Sequence, residues 1–341
     1  MWRLLPVLVF LAACGDGGTV ALDCDGADAS DPRCQVVPPP GGGGPEPPDE
    51  EGAVLHVTLG NGDRRVVSDN ATGDGPSFQV PFGGSHDVAR GRLLVIDKNA
   101  SRPRVLAVDL ASRDRTVLSD ENTGTGPDLE EPVAVAVDGD RALVLDRGAF
   151  ALLAVDLASG DRSVVSNGAT GAGPLFGQLG ALALDAGRAF VGQRNGAGIV
   201  VVDLATGDRA VLSDDDVGTG PDLEDIHSLA LDPPRNRLLV LHRNRDIVLA
   251  VDLSTGNRTQ IIGTGPALVG PLCVVVDPVL DRALITTKFS VYSVDLPTGD
   301  RTLVSGDLRG TGPRLKAAWA AVFDASDTAF ALIVDSGGST P

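Results

Sequence analysis

Enzymatic chemistry needs nucleophiles, bases or metal ligands at workable spacings, and this chain offers few. Its histidines are His56, His86, His227 and His242. No two stand at a metal-pair spacing on one element, and no Gly-x-Ser-x-Gly elbow presents a serine. Oxygen ligands are better represented. Asp120-x-Asn122-x-Gly124 with Glu131, and Asp214-x-Asp216-x-Gly218 with Asp225, echo the spacing of calcium loops. They lack a glycine at the sixth loop position and helical flanks, so they fail the EF-hand pattern. Gly-x-Gly-Pro, which starts at Gly124 and Gly218 among other places, has the glycines of a phosphate loop. No helix follows it and its proline removes a donor, so it reads as a chain crossing instead. No catalytic residue, metal ligand or cofactor is expected; calcium is the one ion kept as an alternative.

What remains is charge. Lys98, Arg147, Arg194, Arg243 and Lys288 stand at equivalent places in a repeat, each just past an apolar run, with Ser336 at the sixth place. The chain has 28 Lys and Arg against 46 Asp and Glu, a formal net charge of −18. That balance excludes a nucleic-acid binder, which carries a basic footprint. Five cations gathered on one face of so acidic a chain would focus a positive potential and favour an anion such as a carboxylate, sugar acid or phosphate. His227, His242 and Trp319 are the unusual residues expected near the same place. A tryptophan among cations suits a sugar or an aromatic acid.

The placing of these residues rests on a repeat. Val-Asp-Leu-Ala-Ser-Gly-Asp-Arg begins at Val155, with relatives at Val57, Val108, Val202, Val251 and Val294, spaced about 47 residues apart on average. Gly-x-Gly-Pro recurs at Gly73, Gly124, Gly171, Gly218, Gly263 and Gly310. Two independent markers thus count six units. Within a unit four short apolar runs alternate with turns, as at 133–137, 142–145, 152–157 and 163–166. The first three runs do not alternate polar with apolar, which means burial on both faces. No 3.6-residue period of useful length occurs. The Asp and Arg of the octapeptide (Asp156 and Arg162, Asp203 and Arg209) flank a hairpin turn and are expected to pair across it. The first unit begins at its third strand, 53–59, and the last stops after its second, 330–334. One unit is therefore built from both ends of the segment, which closes a ring and removes a free edge. The expected fold is all-β, a six-bladed β-propeller spanning 53–341 with N- and C-terminal ring closure.

The N-terminal residues read as an address. Met1-Trp2-Arg3 is positive, and 4–11 is apolar but too short to span a bilayer. Leu11-Ala12-Ala13-Cys14 resembles the lipobox of bacterial lipoproteins. The resemblance implies a signal peptide over 1–13, cleavage before Cys14 and lipidation of its thiol. Gly15, rather than aspartate, implies sorting to the outer membrane. Residues 14–52 are rich in Pro and Gly and read as a disordered tether. Cys24 and Cys34 lie within it, and export to an oxidising compartment makes them a disulfide candidate. Cys273, in an apolar run, reads as a core residue.

Strands ending in Asp followed by the octapeptide, as in Leu143-Val144-Leu145-Asp146 and Leu153-Ala154-Val155-Asp156-Leu157, resemble the six-bladed propellers of the NHL, YWTD and TolB-like group. The resemblance covers 53–336. The tetrapeptide YWTD is absent, and no Glu/Asn/Asp set matches the metal site of the regucalcin and gluconolactonase type. The expected function is therefore that of a monomeric, lipid-anchored envelope protein. It would bind a small anionic ligand, a glycan or a protein at the propeller mouth, without catalysis and without nucleic acid. A calcium-dependent lactonase or hydrolase, and a scaffold subunit of an envelope assembly complex, are the alternatives.

Overall fold

Apolar runs of five to eight residues, broken by turns, leave the chain no option but short antiparallel strands. The computed structural model describes residues 52–98, 102–194, 198–277, 279–323 and 329–337. Cys14, Cys24 and Cys34, with the expected signal peptide and all of the tether but Gly52, lie outside the described residues.

The described segment opens with β1 (Ala53–Thr58) and β2 (Arg64–Ser68). Blade 1 follows as β3 (Pro81–Asp87), β4 (Arg92–Asp97), β5 (Arg104–Asp109) and β6 (Arg115–Ser119). Blade 2 is β7 (Pro132–Asp138), β8 (Arg141–Asp146), β9 (Ala151–Asp156) and β10 (Arg162–Ser166). Blade 3 is β11 (Gln178–Asp185), β12 (Arg188–Arg194), β13 (Ile199–Asp203) and β14 (Arg209–Ser213). Blade 4 is β15 (Ile226–Asp232), β16 (Arg237–His242), β17 (Ile247–Asp252) and β18 (Arg258–Gln260). Blade 5 is β19 (Cys273–Asp277), β20 (Arg282–Thr286), β21 (Val291–Asp295) and β22 (Arg301–Ser305). The last strands, β23 (Ala318–Phe323) and β24 (Phe330–Asp335), complete blade 6 by pairing with β1, in the order β2-β1-β24-β23. The expected closure is thus formed, with Val54 opposite Val334 and Val57 opposite Ala331.

The inner strands β3, β7, β11, β15, β19 and β23 touch in sequence and close on themselves through β23 and β3. Burial is organised by seam. Each pair of neighbouring blades shares its own apolar cluster, six in all, such as Leu94, Val144 and Leu153 between blades 1 and 2. The middle strands are buried on both faces, as their unbroken apolar runs required. Cys273 is half-buried against the cluster between blades 5 and 6.

The two repeated motifs turn out to be partners. The octapeptide arginine does not pair with its own aspartate. Asp156 Oδ1 accepts the turn amides of Ala158 and Ser159 at 2.9 and 2.8 Å, and Asp203 does the same for Ala205 and Thr206. Short Asx turns satisfy those carboxylates locally. The arginine instead enters the crossing loop that arrives from the preceding blade. Arg209 Nε donates to Pro174 O at 2.6 Å, and Nη1 donates to Ser166 Oγ, Asn167 O and Thr170 O at 2.6–2.9 Å. Asp208 accepts the amide of Ala172, the residue between the two glycines of the loop. Arg115, Arg162, Arg258 and Arg64 repeat the arrangement on Pro76, Pro127, Pro221 and Pro313. All five arginines are buried and held mainly by carbonyl oxygens. Gly171 shows why the loop needs glycine. Its φ is +79°, and a Cβ there would lie 1.9 Å from Gly207 O in the turn it packs against.

Candidate functional site

The mouth is shaped by β-bulges at the start of the inner strands. Register shifts fall between Pro81 and Gly84, Pro132 and Ala134, Leu179 and Ala181, Ile226 and Ser228, and Ala318 and Ala320. A bulge adds a residue and re-aims its side chain. The residues set on these bulges are Phe82, Val133, Gly180, His227 and Trp319, so the two unusual residues of the sequence occupy equivalent positions on blades 4 and 6. Gly180 lets the next blade's backbone come close, because a Cβ there would lie 2.4 Å from Ile226 O, with Arg194 Cγ at 3.2 Å.

The second strands hold the mouth loops in place. Asp97 Oδ1 accepts the amides of Gln79 and Val80 at 2.9 and 2.7 Å. Asp146 does so for Glu130 and Glu131, and Asp335 for Lys316 and Ala317. In blade 4 the equivalent residue is His242. It is fully buried, and its Nε2 accepts the amide of Glu224 at 3.3 Å. The structure therefore places His242 among these loop-capping residues.

The cations follow one residue later. Lys98 and Arg147, on adjacent blades, share Glu131. Lys98 Nζ lies 3.0 Å from Oε1, Arg147 Nε donates to Oε2 at 2.8 Å, and Arg147 Nη2 also donates to Oε1. Arg147, and with it Lys98, holds the Glu131 carboxyl down at about 2, against the opposing effect of burial. On the seam between blades 3 and 4 Arg194 Nη2 donates to His227 Nδ1 at 3.1 Å. That bond makes Nε2 the protonated ring nitrogen, and Nε2 lies 3.5 Å from Asp225 Oδ1. Burial, together with the charges of Arg194, Arg243 and Arg147, pushes His227 down to about 3. It is neutral at any physiological pH and braces Arg194. Asp225 itself has a φ of +40°, in the left-handed region, directly before the bulge that carries His227.

Blades 1, 6 and 4 are joined by a stack. Lys98 Nζ stands 5.3 Å from the Phe82 ring centre, and Phe82 packs on Trp319 with centroids 4.9 Å apart. Arg243 Cζ lies 5.5 Å from the Trp319 ring. Trp319 Nε1 donates to Ser336 Oγ at 3.1 Å. This accounts for the break in the ring of cations: the sixth place holds the hydrogen-bond acceptor of the tryptophan. Blades 4 and 6 are not neighbours, so Arg243 and Trp319 meet over the channel. Lys288 is exposed, its Nζ 5.1 Å from Phe289, and makes none of the contacts that join the other four cations.

The two calcium-like loops are otherwise engaged. Asp120 Oδ1 accepts the amides of Asn122 and Thr123, and Asp214 Oδ1 those of Asp216 and Val217. Glu131 and Asp225 are tied to the mouth. Among the described residues no group of three or more His, Cys, Asp or Glu is placed to hold a metal. A cleft of about 490 Å³ is lined by Asp215, Thr219, Asp222, Glu224 and Arg258 over the crossing between blades 3 and 4, and no residue of the aromatic stack lines it.

With this geometry in hand, comparison bears on the fold. No protein-family model matches the chain, and no curated protein matches it. Solved structures do. A chain of the nidogen/laminin complex superposes with a TM-score of 0.57 at 15% identity, over 76% of this chain and 97% of that one. A structural genomics protein of unknown function from Bacteroides thetaiotaomicron VPI-5482 gives 0.59 at 15% identity, over 84% and 77%. The likeness is one of fold. Sequence reasoning on this propeller found the cations, His227 and Trp319, but missed Glu131 as the shared counter-ion, Phe82, and the pairing of Arg243 with Trp319. Lys98 and Arg147 meet Glu131 on the crossing, while Asp97 and Asp146, the acids next to them in sequence, accept loop amides.

Proposed function

We propose that the chain is a non-enzymatic binding propeller that takes an anionic partner at the channel mouth and is anchored in the cell envelope by a lipid on Cys14. One observation carries the mouth. Lys98, Arg147, Arg194 and Arg243 come from four consecutive blades: Lys98 and Arg147 share Glu131, Lys98 and Arg243 stand at the two ends of the Phe82–Trp319 stack, and Arg194 is held by His227 and Asp225. Among the described residues two carboxylates, Glu131 and Asp225, pair with these cations, and His227 beside Arg194 is neutral. The excess is positive in a chain whose formal net charge is −18. Both ring nitrogens of His227 are engaged, which suits a brace better than a general base. The likeness to a chain seen in a protein complex, nidogen/laminin, supports the wider reading that this fold serves as a binding scaffold.

The test is the variant with Arg147, Arg194 and Arg243 all changed to Ala. Immobilised wild-type protein retains envelope components that the variant loses; equal retention sinks the reading. The anchor is tested separately. Cys14→Ala releases the protein from membranes, and a variant that stays bound removes the anchor from the proposal.

A further inference from the structure

The cations of the mouth are not equivalent, and the difference identifies the group that meets the ligand. Arg147 already directs one edge of its guanidinium, Nε and Nη2, at Glu131. Lys98 shares that carboxylate. Arg194 donates to His227, and its Nε is buried without a hydrogen bond, 3.7 Å from Asp225 Oδ1. Arg243 has no carboxylate within ion-pair distance among the described residues. Its contact is the face of Trp319.

Stacking changes what a guanidinium offers. The N–H groups lie in the guanidinium plane, so an aromatic ring beneath that plane leaves them free. Trp319 is itself fixed by Ser336 on its edge and Phe82 on its flank. Arg243 thus sits over a fixed platform, and among the described residues its fork of donors is unspent. A planar acceptor with two oxygens is the group that such a fork matches.

Resting on the mouth reading above, we infer that Arg243 is the residue that receives the ligand, that Trp319 is its positioning residue, and that the ligand group is a carboxylate. Carboxylate is favoured over phosphate by placement and shape. Four cations against Glu131 and Asp225 leave two positive charges, but the one on Arg243 is the charge with no carboxylate beside it among the described residues, and a single planar carboxylate matches that charge and that fork.

The chain carries two tryptophans, Trp2 and Trp319. In the full chain with Trp2→Phe, Trp319 is the sole tryptophan and, excited at the red edge where Tyr292 does not absorb, reports on the site directly. Benzoate and glucuronate serve as carboxylate probes with an aromatic and a hydroxylated body, and inorganic phosphate as the competing anion. Either carboxylate changes the Trp319 emission and binds more tightly than phosphate; which of the two binds better identifies the body of the ligand. By calorimetry, Arg243→Lys weakens carboxylate binding by about tenfold or more, because it keeps the charge and loses the fork. Trp319→Phe keeps the platform and most of the affinity, and Trp319→Leu loses it. If phosphate binds as well as the carboxylates, the ligand class is wrong. If Arg243→Lys or Trp319→Leu binds as the parent does while Arg147→Ala and Arg194→Ala do not, the assignment to Arg243 fails and the mouth stands. If none of the three anions binds the parent chain, the mouth itself is wrong.

Discussion

His227 shows how a single residue can look like a catalyst and serve as a brace. The sequence marked it because it breaks the repeat at the start of an inner strand. It said nothing of the neighbours that decide its chemistry. Burial and three arginines hold its folded value at about 3, below the 6.5 of a free imidazole. Between those values the unfolded chain binds the proton and the folded chain does not, so stability contributed by neutral His227 is complete above about pH 6.5 and is lost as pH falls toward 3. His227→Asn has no such titration. The stability difference between wild type and this variant, measured by urea unfolding at stepped pH, should therefore shift against the wild type from pH 6.5 downward. A difference that stays flat from pH 7 to pH 4 would refute the buried, arginine-flanked state. His242 teaches the converse. It stands next to Arg243 in sequence and was grouped with it, yet it fills the place that aspartate holds in blades 1, 2 and 6. Only the strand register exposes that equivalence.

At the level of elements, the seam between blades is fastened by the octapeptide arginine and the crossing loop. Both markers were legible in the sequence, the octapeptide as a hairpin turn and Gly-x-Gly-Pro as a chain crossing. Their partnership was not, because Asp208 and Ala172, for instance, stand 36 residues apart and meet only after three strands have folded between them. One seam departs from the rule. The crossing from blade 4 to blade 5 is shortened: Gly263 follows Arg258 by five residues, whereas Gly218 follows Arg209 by nine. The serine and the loop carbonyls that would surround Arg301 are absent, and it keeps Pro266 O at 2.9 Å and Gly263 O at 3.3 Å. Replacing Arg209 by Met strands several buried carbonyls and costs on the order of 3 kcal/mol. The same change at Arg301, which is partly exposed and makes fewer bonds, costs about 1 kcal/mol. Urea midpoints of the two variants check this. Equal losses would show that the clasp is not what holds the seam.

The described strands form a ring, and its stability depends on the one blade made from two ends. Six units and their order were readable because turn residues and apolar runs repeat with a fixed spacing. Closure was readable because the first and last units are each half complete. The contact of Arg243 with Trp319 was not, since it joins blades 4 and 6 over the channel and depends on where the bulges aim their side chains. Closure can be tested by truncation. A chain of residues 52–341 keeps every described strand and should unfold in one cooperative transition. A chain of residues 69–341 loses β1 and β2. Blade 6 is then a two-stranded ribbon, which is marginal alone in water. Val54, Leu55 and Val57, each at most 2% exposed, vanish from the clusters on both sides of that blade. Arg64 goes with them, and with it the bonds to Ser305 Oγ and Pro313 O that fasten blade 6 to blade 5. The open edge of β24 would be free to pair with other chains. The shorter chain should therefore melt earlier and less cooperatively, bind a hydrophobic dye and associate on size exclusion. If residues 69–341 instead remain monomeric with the midpoint of 52–341, the ring does not need its closure, and the seams alone carry the fold.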